Sequence, residues 1–269
     1  MCAPSETNEA SRFVEQITKK CTTKCVTTVE EKIVDIPSSP ESGCSPNVSD
    51  DEDDFCILKR DMFCDRTAAI IDWDDTICPS THLASLGLRV DDVDHLSDDL
   101  RADLEELEDA AIGILKEALR FGTVIIITNA EAGWVEMSGQ RFLPRVIKFM
   151  DHADIKVVSA RTAYECDFPN SPVNWKVAAF SAEVHEMFLH DDDLNLLVLG
   201  DSVSERDAAH SLVHQLPTSR IKTVKFVERP SIDQLRRQTE LVRSSYRELC
   251  HYNSSFDVNL TLTSSSSSA

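Results

Sequence analysis

Glycine, long apolar runs and a secretory leader are the features that this sequence has least of. Only 7 of its 269 residues are glycine, which argues against a glycine-rich phosphate-binding loop. No apolar run approaches the roughly 20 residues of a membrane-spanning helix. Residues 1–6 carry neither the basic start nor the apolar stretch of a signal peptide. We therefore expect a protein of the cytoplasm or the nucleus that is neither secreted nor embedded in a membrane.

Basic side chains are also few, with 27 lysines and arginines against 47 aspartates and glutamates, for a net charge of −20. A surface this negative repels phosphate backbones and anionic lipids, so neither nucleic acids nor membrane surfaces are expected partners. The 9 cysteines include no Cys-x-x-Cys pair, which favours reduced thiols over a disulfide framework. With 42% hydrophobic residues, the chain can still bury a sizeable core.

Composition divides the chain into three parts. Residues 1–64 are rich in serine and acidic residues, and we predict that they are disordered because they cannot bury enough apolar surface to offset their ordering entropy. Residues 65–250 alternate apolar runs with helical patterns and are predicted to form the folded domain. Residues 251–269 end in a run of serines, which predicts a disordered tail. Both tails have the composition of segments that bind other proteins.

Between the tails, five short apolar runs predict buried strands, at residues 67–72, 123–128, 155–159, 195–200 and 221–226. Helical spacing of apolar residues predicts the intervening helices, at residues 97–120, 174–189, 205–216 and 231–249, with an interrupted helical region before residue 150. Such alternation is typical of a parallel sheet that is covered on both faces. We therefore expect an α/β domain with a doubly wound, mainly parallel five-stranded sheet flanked by helices.

Two acids follow the first predicted strand, where the carboxyl ends of parallel strands usually bind ligands. Asp72 ends that strand and Asp74 comes two residues later. A carboxylate at the first position can attack phosphorus and form an aspartyl-phosphate. A carboxyl at the second can protonate the leaving oxygen and then deprotonate water. Because both this nucleophile and a phosphate are anionic, a divalent cation is needed, and Mg²⁺ suits a site made only of oxygen ligands.

Other strand ends and one helix supply the remaining groups of such a site. Thr128 and Asn129 end the second strand and can hold phosphate oxygens with a hydroxyl and a backbone N–H. Asp201, after the fourth strand, can complete the cation site, and Glu205 can bind a metal water or orient Asp201. Lys176, near the start of a helix, can neutralise the nucleophile and the phosphate. Its competitor, Lys156, lies within the third predicted strand and is less well placed.

This set resembles the haloacid-dehalogenase-like (HAD) hydrolase superfamily over roughly residues 66–230. The matching positions are Asp72, Asp74, Thr76 and Ile77 in its first motif, Thr128 in its second, Lys176 in its third, and Gly200, Asp201 and Glu205 in its fourth. The resemblance implies a Rossmann-like fold and a Mg²⁺-dependent phosphatase. It also implies that Asp72 is nucleophile and metal ligand, and that Asp74 is the general acid and base, with its backbone carbonyl on Mg²⁺.

The same resemblance implies roles for the other residues and for the substrate. Thr128 and Lys176 would hold the phosphoryl group and Asp201 would bind Mg²⁺. Glu205 replaces the more usual aspartate as the second acid, and Asp207 is the alternative residue for that contact. The inserts after the first two motifs are too short for a full cap domain, so the site is expected to be open to a phosphoprotein or another bulky phosphomonoester. The ten acids in residues 91–109 favour a phosphate carried on a neutral or basic partner, whether a small molecule or a protein.

Several alternatives remain open at the level of sequence. The chain could be a catalytically weak or inactive HAD-fold protein used as a binding or regulatory module, since Glu205 is unusual and the tails have interaction-type composition. A receiver-type phosphoacceptor domain is disfavoured because the third strand ends in Ser159 rather than an acceptor aspartate. Arg161 could contact substrate or be ion-paired, and Trp134 could line the pocket mouth or be buried. Trp73 is expected to pack in the core.

Overall fold

Six segments of the chain form one parallel sheet in the computed structural model, which describes residues 66–92, 95–187 and 193–261. The strands are β1 (Thr67–Ile71), β2 (Thr123–Thr128), β3 (Lys156–Ser159), β4 (Asn195–Gly200), β5 (Arg220–Lys225) and β6 (Phe256–Asn259). Their order across the sheet is β3-β2-β1-β4-β5-β6, and each neighbouring pair runs parallel. β1 and β4 are buried along their whole length, which explains why they read as continuous apolar runs.

Helices cover both faces of this sheet. In chain order they are α1 (Ser80–Ser85), α2 (Asp98–Phe121), α3 (Trp134–Phe142), α4 (Pro144–His152), α5 (Ala160–Tyr164), α6 (Pro172–Met187), α7 (Val203–Ser211) and α8 (Ile232–His251). Ser97 caps α2 by accepting a hydrogen bond from the Leu100 N–H, and Gly122 ends it, as the sequence predicts. Among the described residues, no helix is both long and apolar enough to cross a membrane.

Alternation along β1 shows how the two faces are filled. Ala69 and Ile71 belong to a core cluster with buried residues of α2, α4 and α8. Ala68 and Ile70 belong to a second cluster with residues of α6 and α7. Because neighbouring side chains of a strand point to opposite faces, these two clusters lie on opposite sides of the sheet. The predicted α/β class with helices on both faces is therefore confirmed for the part of the chain that the structure describes.

The prediction of five strands is wrong, because the structure has a sixth at the sheet edge. β6 lies within residues 251–269, which were predicted to be a disordered tail, and it pairs with β5 from Lys222 to Lys225. Its apolar side chains alternate, with Phe256 and Val258 buried, a pattern typical of a strand that the nearby serines obscure. The predicted disordered segment at residues 1–64 lies outside the described residues.

Other differences concern the ends of helices. The interrupted helical region consists of two helices, because Leu143 ends α3 and Pro144 begins α4, where its missing N–H costs nothing. α7 starts at Val203 and ends at Ser211, earlier than predicted at both ends. The short helices α1 and α5 had no predicted counterpart, since neither is long enough to show an apolar period.

The strand order fixes where a ligand can bind. From β1 the chain moves outward through β2 and β3, then crosses to the other side of β1 to form β4. The direction of winding therefore reverses between β1 and β4. In an open parallel sheet this reversal leaves a crevice at the carboxyl ends of the two strands. Asp72 follows β1 and Asp201 follows β4, so both acids lie at this crevice.

Candidate active site

The turn after β1 aims its acids at the crevice. The Asp72 N–H donates to the Leu199 carbonyl at 2.9 Å, which keeps Asp72 aligned with the sheet. The Trp73 carbonyl accepts from the N–H groups of Ile77 and Cys78, and a left-handed Asp75 with φ of 54° turns the chain between them. Trp73 is fully buried, as expected. The side chains of its neighbours, Asp72 and Asp74, line the cavity described next.

A cavity of about 410 Å³ opens at this end of the sheet. Its walls come from segments that follow β1, β2 and β4, and from the first turns of α6. They are Asp72, Asp74, Thr128, Asn129, Ala130, Trp134, Lys176, Ser202, Ser204 and Glu205. Six of the seven predicted site residues are thus in its wall, and the seventh, Asp201, belongs to an acidic group with two of them.

Asp74 is held by two donors on either side of its carboxyl group. The Trp134 indole Nε1 donates to Oδ1 at 2.9 Å, and the Thr128 hydroxyl lies 3.3 Å from Oδ2. Thr128 Oγ1 also accepts from the Ala130 N–H at 3.0 Å. Thr128 ends β2, the strand next to β1, and Trp134 lies in the segment that follows it. This arrangement fixes the Asp74 carboxyl beside Asp72 in the same cavity.

Lys176 is a buried cation between two carboxylates. Its Nζ lies 2.9 Å from Asp72 Oδ1 and also contacts Glu205 Oε1, and the side chain is only 2% exposed. Burial alone would lower the pKa of Lys176, but the two carboxylates outweigh burial and raise that pKa above its ordinary value. Lys176 is therefore permanently charged and neutralises part of the charge at the base of the cavity.

Glu205 is held more tightly than any other acid of the site. Ser202 caps α7 and donates to Glu205 Oε2 through its N–H at 3.0 Å and its hydroxyl at 2.6 Å. Oε1 accepts from the Ser204 hydroxyl at 3.0 Å and from Lys176. The side chain crosses directly over Gly200, where a Cβ would lie 2.3 Å from Glu205 Cγ. Only glycine at position 200 leaves room for this arrangement.

Three acids could together hold a metal ion. Asp72, Asp201 and Glu205 each offer an oxygen, and these atoms lie within 4.8 Å of one another. Burial raises the pKa of Asp201 to about 7, and the charges of Glu205 and Asp75 add to that increase. Burial likewise raises the pKa of Asp72, against the opposing effect of Lys176. The charged forms of both acids are thus disfavoured by burial and by neighbouring carboxylates, and a bound hard cation with oxygen preference would stabilise them.

Glu205 differs from the other two acids in its charge balance. Burial acts to raise its pKa, but Lys176 and the hydrogen bond from Ser202 outweigh burial, so the pKa of Glu205 is lowered. Its two oxygens already accept four hydrogen bonds, which use the four lone-pair positions of a carboxylate. Asp72 and Asp201 are consequently the acids with more capacity for direct ligation.

Three other residues singled out from the sequence make structural contacts. Arg161 is ion-paired with Glu131 and Glu165, and Lys156 is paired with Glu183 and Glu186 at the opposite end of β3. The Asn129 amide donates to the Pro172 carbonyl at 3.2 Å, which ties the segment after β2 to the start of α6.

Sequence reasoning missed Ser202 and Ser204 as part of the site. Ser202 and Glu205 are spaced as Ser-x-x-Glu and form a capping box at the start of α7. That spacing is a recognisable signal for a helix start, and it predicts that α7 begins at residue 203 and that the glutamate side chain turns back toward its cap. Ser204, whose hydroxyl donates to the same glutamate, has no comparable signal.

Comparison of the chain with protein-family models, with curated proteins and with solved structures found no match. Interpretation of the cavity therefore depends on the chemistry of its own residues.

Proposed function

We propose that this protein is a Mg²⁺-dependent phosphomonoester hydrolase of the HAD type, acting through an aspartyl-phosphate. The observation that carries this proposal is the pairing of Asp72 with Lys176 at 2.9 Å in a cavity that Asp74 also lines. One carboxylate beside a fixed cation, and a second held by hydrogen-bond donors, are the two groups that nucleophilic phosphoryl transfer with proton transfer requires.

In the first step, an Asp72 oxygen attacks the phosphorus atom of the ester and the bond from phosphorus to the leaving oxygen breaks. Asp74, protonated at this stage, gives its proton to that oxygen, so the alcohol leaves neutral and Asp74 becomes a carboxylate. Lys176 offsets charge on the phosphoryl oxygens and on Asp72. The product of this step is a mixed anhydride between Asp72 and phosphate.

In the second step, the Asp74 carboxylate removes a proton from water while the water oxygen attacks phosphorus. The bond between phosphorus and Asp72 breaks, inorganic phosphate leaves, and both carboxyl groups return to their starting state. The same residue thus serves as acid and then as base. Thr128, a buried residue of the cavity wall, would donate its hydroxyl proton to a phosphoryl oxygen.

Mg²⁺ fits the acidic group next to Lys176. Asp72 and Asp201 would hold it, and Glu205 would orient Lys176 beside them. When bound, the ion would neutralise charge on the phosphate and on the attacking carboxylate. The charge of Lys176 does not balance the charges of Asp72, Asp201 and Glu205, which supports the assignment of a cation to the site.

Features around the cavity mouth support a bulky, non-acidic substrate, such as a phosphoprotein. α2 leads into the amino end of β2, so its own amino end, with Asp98 and Asp99 in the first turn, lies at the cavity end of the sheet. Exposed apolar side chains adjoin cavity segments at Met137, Val173 and Val203. Acids at this end of the sheet disfavour polyanions such as nucleotides, whereas apolar side chains favour a polypeptide or another large partly apolar group.

Hydrolysis of an aryl phosphate with and without Mg²⁺ tests this proposal. The wild-type protein is expected to hydrolyse the ester only with the metal, and Asp72→Asn should reduce kcat/KM by at least about a thousandfold because the nucleophile is lost. Asp207, the sequence's alternative for the second metal contact, is an exposed carboxylate of α7 that belongs neither to the cavity wall nor to the acidic group. Asp207→Asn is therefore the matched control and should retain activity. Undiminished hydrolysis by Asp72→Asn would overturn the assignment of the nucleophile.

Absence of hydrolysis from well-folded wild-type protein, with any phosphomonoester in a panel of aryl phosphates, sugar phosphates and phosphopeptides, would contradict an enzyme. In that case the cavity would belong to the alternative class, a binding or regulatory module on the same fold. Tight binding of a phosphopeptide without turnover would be its signature.

A further inference from the structure

We propose that Trp134 is a positioning residue for Asp74, and that its indole N–H holds the Asp74 carboxyl in place for proton transfer to the leaving oxygen. This inference rests on the proposed hydrolase function. Trp134 lines the same cavity as Asp74, and its Nε1 lies 2.9 Å from Asp74 Oδ1. The contact joins residues that are 60 positions apart in the chain, so it depends on the fold and is not a local turn.

The surrounding chain fixes where the indole can be. Gly133, with φ of 88°, begins α3 in a left-handed conformation, and Trp134 is the first residue of that helix. The Ser138 hydroxyl donates to the Trp134 carbonyl at 2.6 Å and accepts from the Trp73 indole at 2.9 Å. Because Trp73 lies between Asp72 and Asp74 in sequence, this hydrogen bond connects α3 to the segment that carries both site acids.

Thr128 cannot take over this positioning when a phosphate is bound. Its hydroxyl has one proton, which it gives to Asp74 Oδ2 at 3.3 Å, and its oxygen already accepts from the Ala130 N–H. If that proton is donated to a phosphoryl oxygen, the contact with Asp74 is lost. Among the described residues, Trp134 then remains as the side-chain donor to Asp74. Because indole is only a donor, it holds Oδ1 and leaves Oδ2 for the reacting proton.

The consequence should depend on the leaving group. Departure of an alkoxide needs a proton in the transition state, because alkoxides are strongly basic, whereas a nitrophenolate departs with little protonation. A displaced Asp74 therefore slows hydrolysis of alkyl phosphates much more than hydrolysis of nitrophenyl phosphate. A general loss of folding or of phosphate binding would slow both esters equally.

Trp134→Phe tests the inference, since it keeps an aromatic ring and removes the N–H. We expect kcat/KM for phosphoserine to fall by about 10- to 100-fold, and kcat/KM for nitrophenyl phosphate to fall by no more than about threefold. The ratio of the two values does not depend on the fraction of folded protein. The control, Trp175→Phe, removes an indole N–H that donates to the Phe168 carbonyl at 2.7 Å, and it should leave the ratio unchanged.

A second arm combines the change with loss of the acid itself. In an Asp74→Asn background, Trp134→Phe should cause no further leaving-group-dependent loss, because the group that it positions no longer transfers a proton. Equal losses for both esters in the single variant, or a loss that persists unchanged in the Asp74→Asn background, would overturn the inference alone. Wild-type protein that hydrolyses neither ester would overturn the proposed function, and the inference with it.

Discussion

The two acids that follow β4, Asp201 and Glu205, have pKa values shifted in opposite directions. The pKa of Asp201 is raised to about 7 by burial and by neighbouring carboxylates, whereas the pKa of Glu205 is lowered by its contacts with Lys176 and Ser202. The charged form of Asp201 is therefore poorly compensated in the metal-free protein. Glu205 is instead part of the structure that orients Lys176. Substitution of the two acids should accordingly affect metal binding and stability in different proportions.

Asp201→Asn should raise the Mg²⁺ concentration for half-maximal activity by at least about tenfold and should increase stability without metal, since it removes an uncompensated charge. Glu205→Gln should instead lower the free energy of unfolding by about 3 kcal/mol, because it removes a partner of buried Lys176. Metal titration of activity and urea unfolding in a chelating buffer measure the two effects. A larger loss of stability in Asp201→Asn than in Glu205→Gln would contradict this distinction.

Much of the candidate site is predictable at the residue level, and the reason is local. Asp72 and Asp201 directly follow apolar strands and Thr128 ends one, so a parallel sheet must bring them to one edge. The contact between Trp134 and Asp74 is not predictable in this way. It depends on a left-handed Gly133 and on the rotation of α3, neither of which leaves a periodic signal in the sequence.

At the level of elements, β6 is held to the sheet by a polar contact as well as by apolar packing. Asp257 Oδ1 accepts from the Thr223 hydroxyl on β5 at 2.6 Å and lies 2.9 Å from His210 Nε2 on α7. Burial acts to raise the pKa of Asp257, but the hydrogen bonds outweigh it and the pKa is lowered. This contact helps to fix the register of the four-residue edge strand against β5, because a shift by one residue would turn Asp257 to the other face of the sheet.

Asp257→Asn should therefore reduce stability by about 1–2 kcal/mol at neutral pH. An unfolded aspartate takes up its proton at about pH 4, whereas folded Asp257 does so only at lower pH, so the unfolded state binds more protons in between. Stability of the wild type falls across that window as pH falls, and the difference from the variant should shrink. Urea unfolding of both proteins at a series of pH values gives this difference in stability. If the difference stayed constant down to the lowest pH measured, the contacts of Asp257 could not be its cause.

The sixth strand and the short helices show which elements a pattern can reveal. The sequence predicts β2 and β4 with their correct bounds, because each has four consecutive apolar residues, typical of a buried strand, between polar residues or glycine. β6 is short and lies among serines, so its alternation is hidden by the composition around it. α1 and α5 are shorter than two turns of helix, too short to show an apolar period.

At the level of the whole molecule, the net charge of −20 should influence which phosphomonoesters the protein hydrolyses fastest. A negative surface attracts basic phosphopeptides over a distance that salt shortens. We expect kcat/KM for a phosphopeptide with flanking arginines to fall by about tenfold between about 0.05 and 0.5 M salt. A matched peptide with flanking glutamines should change little.

Nucleotides and sugar phosphates complete that comparison. They should be poorer substrates than the arginine-flanked peptide at low salt, because their own negative charge adds to that of the acids near the cavity. A strong preference for nucleotides over phosphopeptides would contradict a role for the acidic surface in substrate selection. It would leave the proposed chemistry at Asp72 intact.

Formation of a covalent phosphoryl group on Asp72 is the most direct measure of the central claim. Wild-type protein, mixed briefly with a phosphomonoester and Mg²⁺ and then quenched in acid, should gain the mass of one phosphoryl group on the peptide that contains Asp72. Asp74→Asn should accumulate more of it from a nitrophenyl ester, since water attack is slowed, and Asp72→Asn should show none. Turnover without any phosphorylated protein, or a phosphoryl group on another residue, would contradict the account.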